Sequence, residues 1–187
     1  MGKWLRRLAL GLAGVIALAV AALSVASRVS DGPLGPVGGG PLRAGELVTE
    51  SAVDWNAVGA REVELELVAT GRSRLTGSLV YEGQLYVPCD LGFVWRRIPS
   101  RGFRAIAWLL WSVKHWHEDA LRDGRAVLRI AGKRYERQAV RVTDPELLAK
   151  LRAVMEVTAA RYMKVELTDS PADPEAIWFF RMDPRTQ

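Results

Sequence analysis

The fold class is decided by residues 114–144, KHWHEDALRDGRAVLRIAGKRYERQAVRVTD. The first third of this stretch predicts a short amphipathic helix, and Asp123 and Gly124 predict the turn that ends it. Two strands with alternating apolar residues follow. We expect Gly132 and Lys133 to form the two-residue loop between them, because glycine adopts the backbone conformations of tight hairpin turns. The stretch therefore predicts a β-barrel hairpin with a helix before it.

Further strands surround this hairpin. In residues 61–70, valine and leucine alternate with glutamate, which predicts a strand with one buried face and one solvated face. Residues 75–81 and 84–89 flank Glu82 and Gly83, a pair that suits the turn of a second hairpin. Residues 177–182, IWFFRM, add an aromatic-rich closing strand. These strands and the hairpin predict a mainly β protein with a six-stranded, closed or nearly closed barrel and flanking helices.

One flanking helix is predicted after residue 143. Leucine, valine and methionine recur there at helical spacing between residues 147 and 155. Its start fits two alternatives, a capping box from Thr143 to Glu146 or an Asp144 cap with Pro145 in the first turn. In either case we expect the helix to pack on the barrel.

A second helix is predicted in residues 103–116, FRAIAWLLWSVKHW, which contain three tryptophans. This helix is too short, and too closely flanked by arginine and lysine, to span a bilayer. Two alternatives stay open. It packs as a core or lid helix, or it lies in the membrane interface, where tryptophan and nearby cations favour anionic headgroups.

The N-terminal part of the chain predicts a membrane segment. Residues 8–26, LALGLAGVIALAVAALSVA, carry no charge and are long enough to cross the hydrocarbon core of a bilayer. The cations Lys3, Arg6 and Arg7 precede this run, so the N-terminus is expected in the cytoplasm and the remaining chain outside it. The alternative is a cleaved secretory signal, because residues 24–26 are small enough for a cleavage site.

Length and composition set the domain organisation. The chain has 187 residues, which is long enough for one domain with a core and an accessory segment. Its net charge is +5. We expect the anchor or signal in residues 1–27 and a linker or ordered apron rich in glycine and proline in residues 28–59. The barrel domain is expected in residues 60–187, with a tryptophan-rich helical insertion at 91–117. The single cysteine excludes an internal disulfide framework.

Several classes of site are not favoured by the sequence. His115 and His117 lie two residues apart, so on a helix they point to different faces, and we predict no metal site. Neither a nucleophile elbow nor a set of cysteine, histidine and acid predicts a hydrolase. The basic residues of the hairpin alternate with core residues, as the solvated face of a strand does, and we expect no nucleic-acid binding. These basic residues are Arg125, Arg129, Lys133, Arg134, Arg137 and Arg141.

The order of these elements resembles the pyridoxamine 5′-phosphate oxidase-like, FMN-binding split-barrel superfamily. The resemblance covers roughly residues 35–185 and rests on LYVPC at 85–89, the segment at 123–144 and WFFRMDP at 178–184. More narrowly, the chain is similar to uncharacterised bacterial proteins that place a membrane anchor and a glycine- and proline-rich segment before such a barrel. The resemblance implies a split barrel that often pairs as a homodimer.

The resemblance also implies a cofactor site for FMN or a deazaflavin. Superfamily members commonly hold the flavin phosphate with basic and hydroxyl side chains, because a dianion needs charge-assisted donors. The insertion between Cys89 and Lys114 either covers the cofactor as a lid or fills the groove. The matching positions here are Arg72, Arg74, Thr76 and Ser78, with Lys114 as a later cation, Cys89 where serine or threonine is frequent, and Trp116 against the ring system.

Two functional hypotheses follow. The first is a flavin- or deazaflavin-dependent oxidoreductase, tethered to the bacterial inner membrane by a single span, with its barrel outside the cytoplasm. The second is a non-catalytic barrel module that binds lipid, quinone or a protein partner at the membrane surface. The sequence does not identify a catalytic acid or base, or a substrate.

Overall fold

Eight strands and four helices make up the residues that the computed structural model describes, which are 2–35, 38–50, 52–59, 62–90, 116–163 and 177–185. Most of the predicted tryptophan-rich insertion, including Lys114, lies outside these ranges. The helices are α1 (Lys3–Val29), α2 (Trp55–Val58), α3 (Trp116–Arg122) and α4 (Pro145–Met163). The strands are β1 (Glu46–Val48), β2 (Glu62–Leu67), β3 (Arg72–Gly77), β4 (Leu79–Tyr81), β5 (Gln84–Asp90), β6 (Arg125–Ile130), β7 (Lys133–Arg141) and β8 (Ile177–Pro184).

The strands form one curved sheet in the order β3-β2-β6-β7-β8-β5-β4, with antiparallel neighbours throughout, and β1 pairs in parallel with β7. The two terminal strands of this path, β3 and β4, are joined through Ser78 alone, so the sheet must curl until its ends meet. The predicted fold class is confirmed, a mainly β split barrel with flanking helices after one apolar helix. The predicted number of six strands is wrong, because residues 75–81 are divided between β3 and β4 and because the short β1 has no recognisable alternation.

The two predicted hairpin turns have different outcomes. Glu82 and Gly83 form the β4–β5 turn as predicted, with positive φ values of 50° and 74°. The β6–β7 turn consists of Ala131 and Gly132, one residue earlier than predicted, with φ values of 49° and 77°. Two successive residues at positive φ match the twist of the flanking strands. Because Lys133 is not part of the turn, it pairs with Ile130 as the first residue of β7.

The core has two parts. Inside the barrel, alternate residues of the strands meet Trp116 from α3. On the outer face of β4, β5 and β8, a second cluster packs against α4, where Leu151 and Phe179 are fully buried. The start of α4 follows the second predicted alternative, because the Asp144 carboxylate accepts the backbone N–H of Glu146 at 3.0 Å. The prediction that this helix packs on the barrel is confirmed.

The described residues after α1 form an apron, here defined as residues 30–35 and 38–45, on the outer face of β2, β3 and β6. The N–H of Leu42 donates to the carboxylate of Glu66 at 2.7 Å, and the hydroxyl of Ser73 donates to the carbonyl of Gly40 at 2.5 Å. Glycine is required at residue 39, because a Cβ there would clash with the backbone of Gly32. The prediction of a solvated glutamate face is therefore wrong at Glu66, which is 7% exposed because the apron covers it.

Arg129 clamps the apron to the sheet. Its guanidinium binds the carboxylate of Glu64, and it also donates to the carboxylate and the carbonyl of Asp31 at 3.0 and 3.1 Å. The Asp31 carboxylate in turn accepts the N–H groups of Arg43 and Ala44 at 2.7 and 3.2 Å. The bond from Arg43 is the main reason that the pKa of Asp31 is lowered. One arginine thus joins two strands to both ends of the apron.

We expect Arg129→Met to lower the free energy of unfolding by about 2 to 4 kcal/mol, because the partly buried Glu64 loses its ion pair. The measurement is denaturant unfolding of the full-length protein in detergent at neutral pH. The control is Arg122→Met, which removes an arginine whose side chain is 74% exposed and should cost no more than about 0.5 kcal/mol.

The pH dependence follows from Asp31. Its folded-state pKa is lowered, so its contribution is present above the pKa of the unfolded chain and is lost as the pH falls through the folded-state pKa. The difference between wild type and Arg129→Met should therefore shrink in acid. Equal unfolding curves for the two arginine variants at neutral pH would show that the apron does not depend on Arg129.

Candidate functional site

Three of the predicted cofactor-binding residues lie on the inner side of β3. In an antiparallel ladder, directly paired residues share a face of the sheet. Each of the three pairs with a buried core residue of β2, so each shares the face that points into the barrel. The pairs are Arg72 with Leu67, Arg74 with Leu65, and Thr76 with Val63. Polar side chains therefore line the inner face of a terminal strand of the sheet.

Arg74 is the most unusual of them. The central carbon of its guanidinium lies 5.6 Å from the centroid of the Trp116 ring, a cation–π contact. Trp116 itself is 2% exposed and packs at 5.2 Å from the ring of Phe180. The Nε of Arg74 is buried and has no hydrogen-bond partner, and no ion pair joins Arg74 to a carboxylate in the described part of the chain. A partly buried cation without a carboxylate partner among the described residues is suited to binding an anion.

The electrostatics of Arg74 agree with this geometry. The pKa of Arg74 is lowered to about 10, mainly by burial and also by the nearby Arg72, while Cys89 and Asp119 oppose the shift. The guanidinium is still charged at neutral pH, but in an environment that disfavours the charge. An anionic ligand would relieve that cost, because opposite charges attract strongly where water is excluded.

Arg72 serves a different purpose. Its Nη1 donates to the carbonyl of Ser27 at 3.2 Å, and its Nη2 lies 3.5 Å from both the Ser27 hydroxyl and the carbonyl of Gly38. Ser27 belongs to the last turn of α1, whose carbonyl groups attract a cation. Arg72 therefore ties the end of the apolar helix to the barrel.

The other predicted residues are spread around this strand. Thr76 donates weakly to the carbonyl of Gly77 at 3.4 Å, and Ser78 is 8% exposed at the junction of β3 and β4. Cys89 is fully buried on β5, in the same core cluster as Trp116 and close enough to influence the pKa of Arg74. The structure thus brings Arg74, Cys89 and Trp116 together, while Lys114 lies outside the described residues.

Arg137 was not predicted from the sequence to line a site. The expectation that the basic residues of this hairpin form a solvated face is wrong here, because Arg137 is 3% exposed and packs 5.2 Å over the ring of Trp55. Burial lowers the pKa of Arg137, while Tyr135 opposes the shift. A signal was present, since Tyr135, Arg137 and Ala139 occupy alternate positions and share the core face of β7. Arg137 also lines a cavity of about 630 Å³ beside α2.

His117, one of the two histidines of the sequence, packs against an aromatic ring. Its ring meets the ring of Trp178 edge-on at 4.9 Å, and Trp178 also lies 3.7 Å from the guanidinium carbon of Arg141. Within the described ranges, histidine, cysteine, aspartate and glutamate side chains do not form a group of three or more that could hold a metal ion.

Comparisons with known proteins place the chain among similar folds. No family model and no curated protein matches it. A solved structure assigned as a pyridoxamine 5′-phosphate oxidase, from Listeria innocua, matches 70% of this chain and 90% of its own, with 13% identity and a TM-score of 0.43. An FAD-binding protein from Mesorhizobium loti matches 73% of this chain and 91% of its own, with 12% identity and a TM-score of 0.41.

The two arginines of β3 should respond differently to removal of their charge. We expect Arg72→Met to lower the free energy of unfolding by about 1 to 2 kcal/mol, because the carbonyls of Ser27 and Gly38 lose a charged donor. Arg74→Met should leave the stability unchanged or raise it, since an apolar side chain removes a buried charge and still packs on Trp116. Denaturant unfolding of both variants provides the test. A larger loss for Arg74→Met than for Arg72→Met would make Arg74 a structural residue.

Proposed function

We propose that this chain is a membrane-tethered split-barrel oxidoreductase that binds FMN or a related flavin or deazaflavin. The observation that supports this most is Arg74, a partly buried cation that packs against Trp116 and has no carboxylate partner among the described residues. In this proposal Arg74 and Lys114 bind the phosphate, Thr76 and Ser78 add hydroxyl donors, and Trp116 limits access of water to the ring system. A bound flavin would supply the electron-transfer chemistry.

The residues present fit such a group in part. The Nε of Arg74 has no hydrogen-bond partner among the described residues, whereas the guanidinium of Arg72 donates to the carbonyls of Ser27 and Gly38 and to the Ser27 hydroxyl. Cys89 is fully buried, so it acts through the packing of the site and not as an exposed ligand. The phosphate would therefore depend mainly on Arg74 and Lys114. A homodimer, which the resemblance implies, belongs to the same proposal.

The second candidate function is a non-catalytic barrel module that binds lipid, quinone or a protein partner. The engagement of Arg72 at the end of α1 favours it, because a residue predicted to bind cofactor instead connects the apolar helix to the barrel. In this case the barrel groove retains its shape without a flavin. An absorbance spectrum of the purified protein separates the two candidates.

We expect the full-length protein in detergent to bind FMN and to quench its fluorescence. Lys114→Ala and Arg74→Met should each weaken binding by about tenfold to a hundredfold, because each removes a charge-assisted bond to the phosphate. Arg122→Met, a change on the exposed side of α3, is the control and should bind as wild type. If wild type binds neither FMN nor a deazaflavin into the high micromolar range, the non-catalytic module becomes the better account.

The membrane topology is also part of the proposal. The described residues contain one helix, Arg6–Val29, that is long and apolar enough to cross a membrane, and none of its apolar stretch is buried in the protein. Because Lys3, Arg6 and Arg7 lie at its N-terminal end, we propose that the barrel lies outside the cytoplasm at the inner membrane. The apron then holds the barrel directly against the membrane surface.

Alkaline phosphatase, which is active only outside the cytoplasm, provides the test of topology when fused after Gln187. We expect an active fusion, and a lower activity when Lys3, Arg6 and Arg7 are all changed to glutamate, because the orientation depends on these cations. The intact mass of the purified protein should include residues 1–27. An inactive fusion, together with activity of a cytoplasmic reporter at the same position, would reverse the orientation.

A further inference from the structure

A cavity of about 630 Å³ lies at the side of the barrel near α2, and none of the residues predicted to bind a cofactor lines it. Its walls come from α2 and the residues before it, from the β4–β5 turn, and from β7 and β8. The volume lies in the range of sites for small organic molecules. The wall residues that matter below are Val53, Trp55, Arg137 and Met182.

The guanidinium of Arg137 is a positive charge in the wall of this cavity, and not all of its N–H groups have an acceptor among the described residues. Its Nη1 and Nη2 donate to the carbonyls of Glu136 and Glu50 at 3.4 Å each, whereas its buried Nε has no hydrogen-bond partner. A guanidinium has five N–H donors in a planar fork. Among the described residues no carboxylate forms an ion pair with Arg137, since the neighbouring Glu136 pairs with Arg185. Arg137 therefore lines the cavity with a guanidinium whose charge is not paired with a carboxylate of the described residues.

The orientation of Arg137 is fixed before any ligand binds. Its guanidinium carbon lies 5.2 Å from the Trp55 ring and 6.0 Å from the Tyr135 ring, and these two rings pack against each other at 5.2 Å. Cation–π contacts and the two carbonyl acceptors hold the plane of the fork. A fork held in this way loses little side-chain entropy when it binds a carboxylate.

The other walls define the rest of the ligand. Val53, Trp55 and Met182 are apolar, so they favour a ligand with an apolar body. Asp54 also lines the cavity, and its carboxylate accepts the N–H groups of Asn56 and Ala57 at 3.0 and 3.2 Å. A second negative charge on the ligand would meet this carboxylate. One negative charge is therefore preferred over the two of a phosphate monoester.

We propose that this cavity binds a monocarboxylate with an apolar body, with the carboxylate on the guanidinium of Arg137 and the body against Trp55 and Met182. The site is separate from the proposed flavin site, which depends on Arg74. It adds a second ligand to a barrel of either proposed function.

The test uses isothermal titration calorimetry of the full-length protein in dodecyl maltoside. The probe is naphthalene-2-carboxylate, and the matched neutral compound is naphthalene-2-carboxamide. We expect saturable binding of the carboxylate at one site and at least tenfold weaker binding of the amide, because only the carboxylate forms charge-assisted bonds. Arg137→Gln should weaken the carboxylate at least tenfold and bring it close to the amide.

Three further variants locate the site. Ala52→Trp fills the cavity from an exposed position and should abolish binding with Arg137 intact, so the test stands even if Arg137→Gln does not fold. Arg141→Gln, on the same strand but outside the cavity, should bind as wild type. Arg74→Met should also bind as wild type, while Arg137→Gln retains FMN binding.

Three results would overturn the proposal. They are the absence of saturable binding into the millimolar range, equal affinity for carboxylate and amide, and loss of binding in Arg74→Met with retention in Ala52→Trp. The last result would place the probe in the flavin site. Failure of FMN to bind would leave this proposal untouched, because the two sites share none of the residues on which they depend.

Discussion

The rest of the structure depends on the hydrogen bonds between the apron and the outer face of β2, β3 and β6. A covering segment without regular structure must satisfy its own backbone groups, and here the sheet provides the partners. Glu66 accepts an apron N–H, Ser73 donates to an apron carbonyl, and Arg129 joins Asp31 to Glu64. Because the apron begins where α1 ends, these bonds also set where the barrel lies relative to the apolar helix.

That attachment determines what the arginines of β3 can do. Arg72 and Arg74 lie two residues apart on one face, yet their surroundings differ. Arg72 reaches the carbonyl of Ser27 at the end of α1, where the helix dipole favours its charge. Arg74 packs partly buried against Trp116, and its Nε has no hydrogen-bond partner among the described residues. Arg72 thus attaches the barrel to α1, and Arg74 is the cation to which the proposed function assigns a ligand.

Much of the fold could be predicted from the sequence, because alternation and turn chemistry are local signals. The strand of residues 61–70, the turn at Glu82 and the Asp144 cap are all of this kind. The burial of Glu66 could not be predicted, since the apron that covers it lies far away in the chain and has no periodicity. Of the candidate site, Arg74 and Trp116 were predicted through the resemblance, and their role stays a prediction. Arg137 was missed because arginines on a strand were assumed to be solvated.

Successive residues of a strand point to opposite faces of the sheet, and this alternation explains why Arg74 and Arg137 have no carboxylate partner among the described residues. The glutamates of β2 all lie on its outer face, and Glu136 on β7 lies outside Arg137, so the nearby carboxylates on these strands point away from the core arginines. A shift of one residue between strands would exchange the two faces and bring charges of opposite sign together. The bonds of the apron to Ser73 and Glu66 oppose that shift, because they require these residues to face outward. The contacts that attach the barrel to α1 therefore also keep the carboxylates of these strands away from Arg74 and Arg137.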